Sequence, residues 1–435
     1  MDWALNLMIF NKIIPQRLMP ASARTPLAAG RKLARKIKWG KIQPGRPTVL
    51  AASRSQFSKD IEEMRHRTGL NWATLSAVKI KEPQQEWVAE ADQQQSYFAA
   101  ILRNGPAALR RQLTEFGVAF LTEASRRTPI DAVMAANVDY WQDESLRLAC
   151  RELGIPFLVL CRENYTIPWT VPWLHERFAD AAFKFDGAGV ACFSEATKRA
   201  ITPGMYDADD IWVTGAPRYD RWLDLKPLPA EQKNYLSLIT FNMPGYGAQD
   251  VFKEVLEAFG AAAAQSQDPA INWLVKCKKR ADMEDVRQQL PGNLGNRLQL
   301  SFNTQLFDLF PKSRLVIGYN SLALVEAMLA DAPVVMPKWG QARPKKSDLL
   351  LDPDDPSIGA VIHTAETPQA LTELMRRAAA GEDMRKGTPQ QRREVFSRHL
   401  HIPATGNASA AVEKFVRHFI DRAQAQRGTA THHEV

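Results

Sequence analysis

Short apolar runs alternate with amphipathic stretches along most of the chain. Between residues 47 and 222 the runs are PTVLAAS (47–53), NWATLSAV (71–78), GVAFLTE (117–123), DAVMAAN (131–137), PFLVLCRE (156–163), GVACFSE (189–195) and IWVTGAP (211–217). Their length and their β-branched and small apolar content predict strands buried on both faces. Helical periodicity fills several of the gaps. It is clearest over residues 142–153, where Gly154 supplies a stop. Strands alternating with helices predict an α/β fold, a parallel sheet covered on both sides.

A Pro-rich polar stretch, LKPLPAEQKN (225–234), reads as an interdomain linker. A second α/β series follows. Its predicted strands are residues 235–242, 271–278, 298–303, 314–319, 332–337 and 359–365, with helices near 248–264, 282–290, 304–311, 321–330 and 368–379. Residues 407–426 form a last amphipathic helix with Ala411, Phe415 and Phe419 on one stripe. The predicted organisation is an arm (1–46), an N-terminal domain (47–224), the linker (225–234), a C-terminal domain (235–405) and a closing helix and tail (406–435).

Charge changes the picture at one end only. Residues 1–59 carry twelve Lys/Arg against the single acid Asp2, whereas the rest of the 435-residue chain carries 44 Lys/Arg against 47 Asp/Glu. The body is near neutral, which argues against a nucleic-acid binder, since that function needs a basic face on the folded body. The arm combines an apolar start (Trp3, Leu5, Leu7, Met8, Ile9, Phe10, Ile13, Ile14) with Arg31, Lys32, Arg35, Lys36, Lys38 and Lys41. Either an anionic membrane surface or plain solvation as a basic leader accounts for that pattern. No apolar run reaches the roughly 18–20 residues that span a bilayer, and the positive charge follows the first apolar run, the wrong order for a signal peptide. Cys150, Cys161, Cys192 and Cys277 form no C-x-x-C pair. They read as buried free thiols in a reducing compartment, so a cytoplasmic protein is expected.

Candidate chemistry concentrates in RLVIGYNSLALVEAMLADAPVVMPKW (314–339). This is a buried strand, a tight polar turn, a helix and a second buried strand. Asn320 and Ser321 sit in the turn, where a small polar side chain caps a helix and the helix N-terminus attracts an anion. Lys276 and Lys278 leave another strand at its carboxyl end, where ligands of open α/β sheets collect. Gly245 and Gly247, in FNMPGYGAQD after the strand at 235–242, would let backbone approach a ligand closely. Lys338 and Trp339, with Gln341 and Arg343, form a basic aromatic loop able to clamp or stack on a substrate.

Two α/β halves joined by a linker, the YNSLALVEAMLADAPVV turn late in the second half, and IWVTGAPRYDRW (211–222) closing the first resemble the GT-B glycosyltransferases. The resemblance covers about residues 47–425. It is nearest to bacterial enzymes of surface and capsular polysaccharide synthesis, related to CDP-glycerol glycerophosphotransferases and UDP-N-acetylglucosamine 2-epimerases. It implies two Rossmann-like domains facing across a cleft, with a nucleotide sugar held by the second. It also implies that Glu326 holds the donor ribose and that no metal or resident cofactor is needed, the nucleotide sugar being a substrate. LVKCKKR (274–280) departs from the Lys-x-His-Pro sequence of many relatives but keeps the positive charge. ANVDYWQDES (136–145) replaces the turn typical of the epimerases.

Such a transfer needs a base for the acceptor hydroxyl if the anomeric centre inverts. In the N-terminal domain the candidates are Asp139 first, then Glu163 and Asp143. Asp143 and Glu144 also suit a helix start. Arg162, Tyr165 and Trp169 would line the sugar. The expected partners are a nucleotide-activated sugar, CMP-linked donors included, a glycan or glycolipid acceptor, and an anionic membrane surface for residues 1–46. Transfer of glycerol phosphate, 2-epimerisation and a non-catalytic binding subunit stay open as alternatives.

Overall fold

The computed structural model describes residues 25–54, 57–93, 105–161, 178–179, 184–241, 247–290, 298–343 and 349–431. The chain divides into two compact units. The second runs from Arg221 to Gly406, and the chain from Asn407 onward returns to the first.

The first unit is built on β1 (Thr48–Ser53), β2 (Asn71–Ser76), β3 (Ala132–Ala135), β4 (Phe157–Leu160), β5 (Gly189–Cys192) and β6 (Ile211–Val213). They form one sheet in the order β2-β1-β3-β4-β5-β6, and every pairing is parallel. The predicted strand at 117–123 is instead part of the helix Ala107–Ser125. Phe116, Phe120 and Ala124 recur there at four-residue spacing and all are buried, so a helical face was hidden within a continuous apolar run. Two other helices crowd this one at glycines. A Cβ on Gly117 would lie 2.1 Å from the Ser145 carbonyl oxygen, and one on Gly30 would lie 2.4 Å from that of Phe116.

Gly30 belongs to the helix Pro26–Ala34, whose start is capped by Thr25 and Pro26. Leu33, Ala34, Ile37 and Trp39 are buried in the core of the first unit, and Lys38 bridges Thr74 on β2 in antiparallel fashion. Residues 25–46 are therefore integral to the first unit rather than an appended arm. The closing helix, Ala408–Thr431, likewise belongs to the first unit. It buries Val412, Phe415, Val416 and Phe419, and Phe419 lies so close to Gly189 of β5 that a Cβ there would come within 2.4 Å of its ring.

Arg218 and Asp220, from the segment that ends the first series, hold this unit together. The backbone N–H and Nε of Arg218 each donate to Asp60 Oδ1 at 3.0 Å, and Nη2 donates to Oδ2. The pair is almost entirely buried, the setting in which removing one partner costs most. Asp220 caps the closing helix through Ala408 and Ser409.

The second unit carries β7 (Tyr235–Ile239), β8 (Asn272–Lys276), β9 (Leu298–Ser301), β10 (Ser313–Ile317), β11 (Val334–Pro337) and β12 (His363–Ala365). Their order is β12-β11-β10-β7-β8-β9, and all pairings are parallel. Numbered from β7, this is the 3-2-1-4-5-6 order of the dinucleotide-binding fold. The α/β class and the parallel sheets expected from the strand–helix alternation are present in both units. The end of the predicted linker is anchored, since Lys233 is buried and its ammonium donates to the Asp331 carbonyl at 2.6 Å. A helix absent from the sequence reading, Pro389–Leu400, also packs here. Among the described residues no helix is long and apolar enough to cross a membrane.

Candidate functional site

In an open parallel sheet the ligand crevice lies beyond the carboxyl ends of the strands where their order reverses. In the second unit that point falls between β7 and β10. The sequence-predicted residues Gly247, Asn320 and Ser321 follow these two strands, so topology brings them to one edge.

The chain after β10 turns sharply. A Cβ on Gly318 would meet a terminal methyl of Leu324 at 2.9 Å, so that side chain would have to shift. Tyr319 is buried with its ring 5.6 Å from that of Phe241, at the end of β7. Asn320 takes the left-handed conformation (φ +45°), which Asn tolerates better than most residues. Its Oδ1 accepts a hydrogen bond from the Leu350 N–H at 2.8 Å. Ser321 is the N-cap of the helix Leu322–Leu329, and its Oγ accepts the Ala323 N–H at 3.3 Å. That is a long bond, one that a stronger acceptor at the helix start would displace. Leu322, the first helical residue, is 43% exposed. Gly247 is exposed, with φ +64°, and among the described residues nothing lies within 4 Å of where its Cβ would stand; Gly245 lies outside the described residues. Glu326 is buried at 5% exposure on the same helix.

The other sequence-predicted donor residues divide. Lys276 donates to the Cys277 and Phe302 carbonyls at 2.7 and 2.8 Å, tying β8 to the chain after β9. Lys278 is exposed. Lys338 bonds Asp354 at 2.6 Å and Glu366 at 3.3 Å, and those carboxylates, Asp354 first, push its ammonium up from its ordinary value. Trp339 is buried, and its indole N–H donates to Glu254 at 2.7 Å. Gln341 exchanges bonds with Asp250, and Arg343 donates to the Lys338 carbonyl. The loop read as a substrate clamp is thus fastened by partners of its own, two of them on the helix Gln249–Gln265. Trp339 is packing, not an open stacking platform, because its polar atom and its ring are both already used.

In the first unit the order reverses between β1 and β3. Asp139 and Asp143 follow β3 and are 2% and 3% exposed. The residue that sequence reasoning missed is Arg54, immediately after β1. Its Nη2 donates to Asp143 Oδ2 at 2.9 Å, its guanidinium lies 4.3 Å from the Tyr140 ring centre, and its Nε is buried without a hydrogen-bond partner among the described residues. Lys81 lies 5.6 Å from the Trp141 ring centre. Burial, and secondarily the charge of Arg54, push its ammonium down from the usual lysine value. The signal was a lone Arg leaving an apolar strand, and it was swamped by the basic residues before it. Glu144 pairs with Arg147 and serves the helix Glu144–Leu153. Arg162, Glu163, Tyr165 and Trp169 lie outside the described residues.

All four cysteines are buried and free. Burial raises the Cys277 thiol to about 11, which disfavours the reactive thiolate. Among the described residues no cluster of three or more His, Cys, Asp or Glu is arranged to hold a metal ion.

No family model matches the chain, and no curated protein matches it. Solved structures do. The Anabaena protein HepE in complex with UDP and glucose aligns over 89% of this chain and 99% of its own, at 13% identity and a TM-score of 0.39. The UDP-GlcNAc 2-epimerase of Neisseria meningitidis bound to UDP-GlcNAc aligns over 84% and 98%, at 12% identity and 0.43. The calicheamicin glycosyltransferase CalG4 aligns over 87% and 99%, at 14% identity and 0.41. Likeness of this degree assigns neither a family nor an activity to the chain.

Proposed function

We propose that this chain is a glycosyltransferase that moves a sugar from a nucleotide-activated donor to a growing surface polysaccharide or lipopolysaccharide. The observation that carries the reading is the Asn320–Ser321 turn, a helix start with a displaceable cap, set where the order of a Rossmann-type sheet reverses. First-turn N–H groups have no partner within their helix, and together with the helix dipole they suit the phosphate that leaves with the nucleotide. Lys278 adds a solvent-facing positive charge after β8.

In the reaction the bond from the anomeric carbon to the phosphate oxygen breaks and a bond to the acceptor oxygen forms. The acceptor proton goes to a carboxylate, for which Asp143, Asp139 and Glu163 are the candidates, and the phosphate departs as an anion stabilised at the Ser321 turn. Arg54 orients Asp143.

Calorimetric titration of the full chain with UDP, CMP and CDP tests the reading. Binding of one of them, lost when Ser321 is replaced by Trp, is the expected result. If no nucleotide binds, the proposal fails and a non-catalytic subunit takes its place. Incubating UDP-GlcNAc without acceptor, and CDP-glycerol with one, separates the transferase from an epimerase and from a glycerophosphotransferase.

A further inference from the structure

The positive charge between Thr25 and Arg46 sits on a folded surface. Between Thr25 and Arg46 there are seven Lys/Arg and no Asp or Glu, and all seven are exposed. The helix Pro26–Ala34 buries Ala29, Gly30, Leu33 and Ala34, so Arg31, Lys32, Arg35 and Lys36 must point the other way. The close approach of Gly30 to Phe116 and Phe120 fixes the helix on its neighbour. The Lys38–Thr74 bridge fixes the following segment against β2, the edge strand of the sheet. Arg65 joins this edge by donating to Thr74 Oγ1 at 3.3 Å. Among the described residues, one acid pairs with the seven cations, Glu82 with Lys36 at 3.7 Å, and both side chains are about a third exposed. The remainder of the chain, residues 60–435, has more acidic than basic residues, so the field of this face is not diluted over the molecule.

We propose that the face made by residues 31–46 is a docking surface for an anionic lipid bilayer. This does not depend on the transferase reading. A polyanion in water, such as a nucleic acid, would satisfy the charges but has no use for apolar groups beside them. Here an apolar side chain stands beside the charge. Leu27 is 49% exposed at the N-terminal end of the cationic stripe. The sequence leading to Thr25 carries Trp3, Leu5, Leu7, Met8, Ile9, Phe10, Ile13 and Ile14. Charge attraction to headgroups combined with apolar insertion is the pairing of signals that holds a protein at a membrane surface, because neither alone binds firmly.

Co-sedimentation of the full chain with phosphatidylcholine vesicles, with and without phosphatidylglycerol, is the test. Binding is expected on the anionic vesicles only, and it should weaken as salt rises. Each cation near the surface contributes about fivefold to partitioning, equivalent to about 1 kcal/mol. Replacing Arg31, Lys32, Arg35 and Lys36 together by Gln should therefore weaken binding by several hundredfold at low salt. Should that variant fail to fold, as judged by circular dichroism, Lys38→Gln/Lys41→Gln/Arg46→Gln changes exposed positions outside the helix and should lose about a hundredfold. The proposal is overturned if these variants bind as the parent does, if neutral vesicles bind equally well, if duplex RNA binds more tightly than anionic vesicles, or if Arg376→Gln/Arg377→Gln in the second unit weakens binding as much.

Discussion

Asp220 accepts hydrogen bonds from the backbone N–H groups of both Ala408 and Ser409, at 2.9 and 2.7 Å, across 188 and 189 positions of sequence. The closing helix is thus capped by a residue from the far side of the second unit's sequence. Asp220 is 1% exposed, so Asp220→Ala leaves two buried donors of a helix start unpaired and should cost about 2 kcal/mol. Asp220→Asn keeps one acceptor oxygen and should cost less. Thermal melting checks both, and an unchanged midpoint for the Ala variant would refute the assignment.

Gly30→Ala should cost about 1–3 kcal/mol, because the new methyl meets backbone atoms of Phe116 and Phe120 and the helix must back away. Urea unfolding measures it. A neutral result would mean that the helix Pro26–Ala34 is not seated on the first unit.

Acid should loosen the second unit. Hydrogen bonds from Arg385, first among the causes, hold the Asp383 carboxyl down to about 2, below the ordinary Asp value of about 3.9. A carboxylate depressed in the folded state adds stability above its unfolded value, and this is lost as pH falls from about 4 to about 2. Asp383 is half exposed, so the effect is modest. Asp383→Asn should lower stability at neutral pH and flatten the pH dependence across that window. Unfolding curves at pH 7 and in the acid range would show it, and parallel curves for the two proteins would contradict it.

At the turn after β10, Ser321→Ala removes the cap of the helix Leu322–Leu329 and should cost about 1 kcal/mol, with nucleotide affinity falling only slightly, since the backbone N–H groups remain. Asn320→Ala is expected to be worse on both counts. It places a Cβ-bearing residue without the Asn tolerance at φ +45° and deletes the bond to Leu350. Calorimetry beside thermal melting distinguishes the two variants. Equal behaviour would remove Asn320 from the site.

In the first unit, Asp143→Asn should lower kcat by about a hundredfold or more if this carboxylate takes the acceptor proton, with KM for the donor little changed. Arg54→Lys should retain part of the activity and Arg54→Ala little, because the guanidinium orients the carboxylate from the end of β1. Steady-state kinetics on the two series decides, and a fully active Asp143→Asn enzyme would pass the role to Asp139 or Glu163.

The strands of both sheets were legible because each is a compact apolar run with punctuation at its ends, and the helix stop at Gly154 (φ +63°) followed from a residue type. Residues 117–123 were misread because a helix packed on several sides, against β-sheet, the helix Pro26–Ala34 and the helix Glu144–Leu153, is as apolar over seven positions as a buried strand. At the candidate site, Ser321 and Asn320 were legible from cap and turn chemistry. The engagement of Trp339 with Glu254, of Lys338 with Asp354 and of Arg54 with Asp143 joins positions between 16 and 89 residues apart. No local pattern encodes such pairings, so a basic aromatic loop looked free when it was fastened.

The return of residues 407–431 to the first unit bears on how the protein is made. The stretch from Arg221 to Gly406 is uninterrupted and is complete once the ribosome has passed it. The earlier-synthesised half must wait, with the β5 surface around Gly189 open and Asp220 awaiting its donors, until residues 408–431 emerge. Translation therefore delivers the later module first in finished form, and a chain halted shortly before Ala408 would expose a greasy seam on its older half to chaperones and proteases.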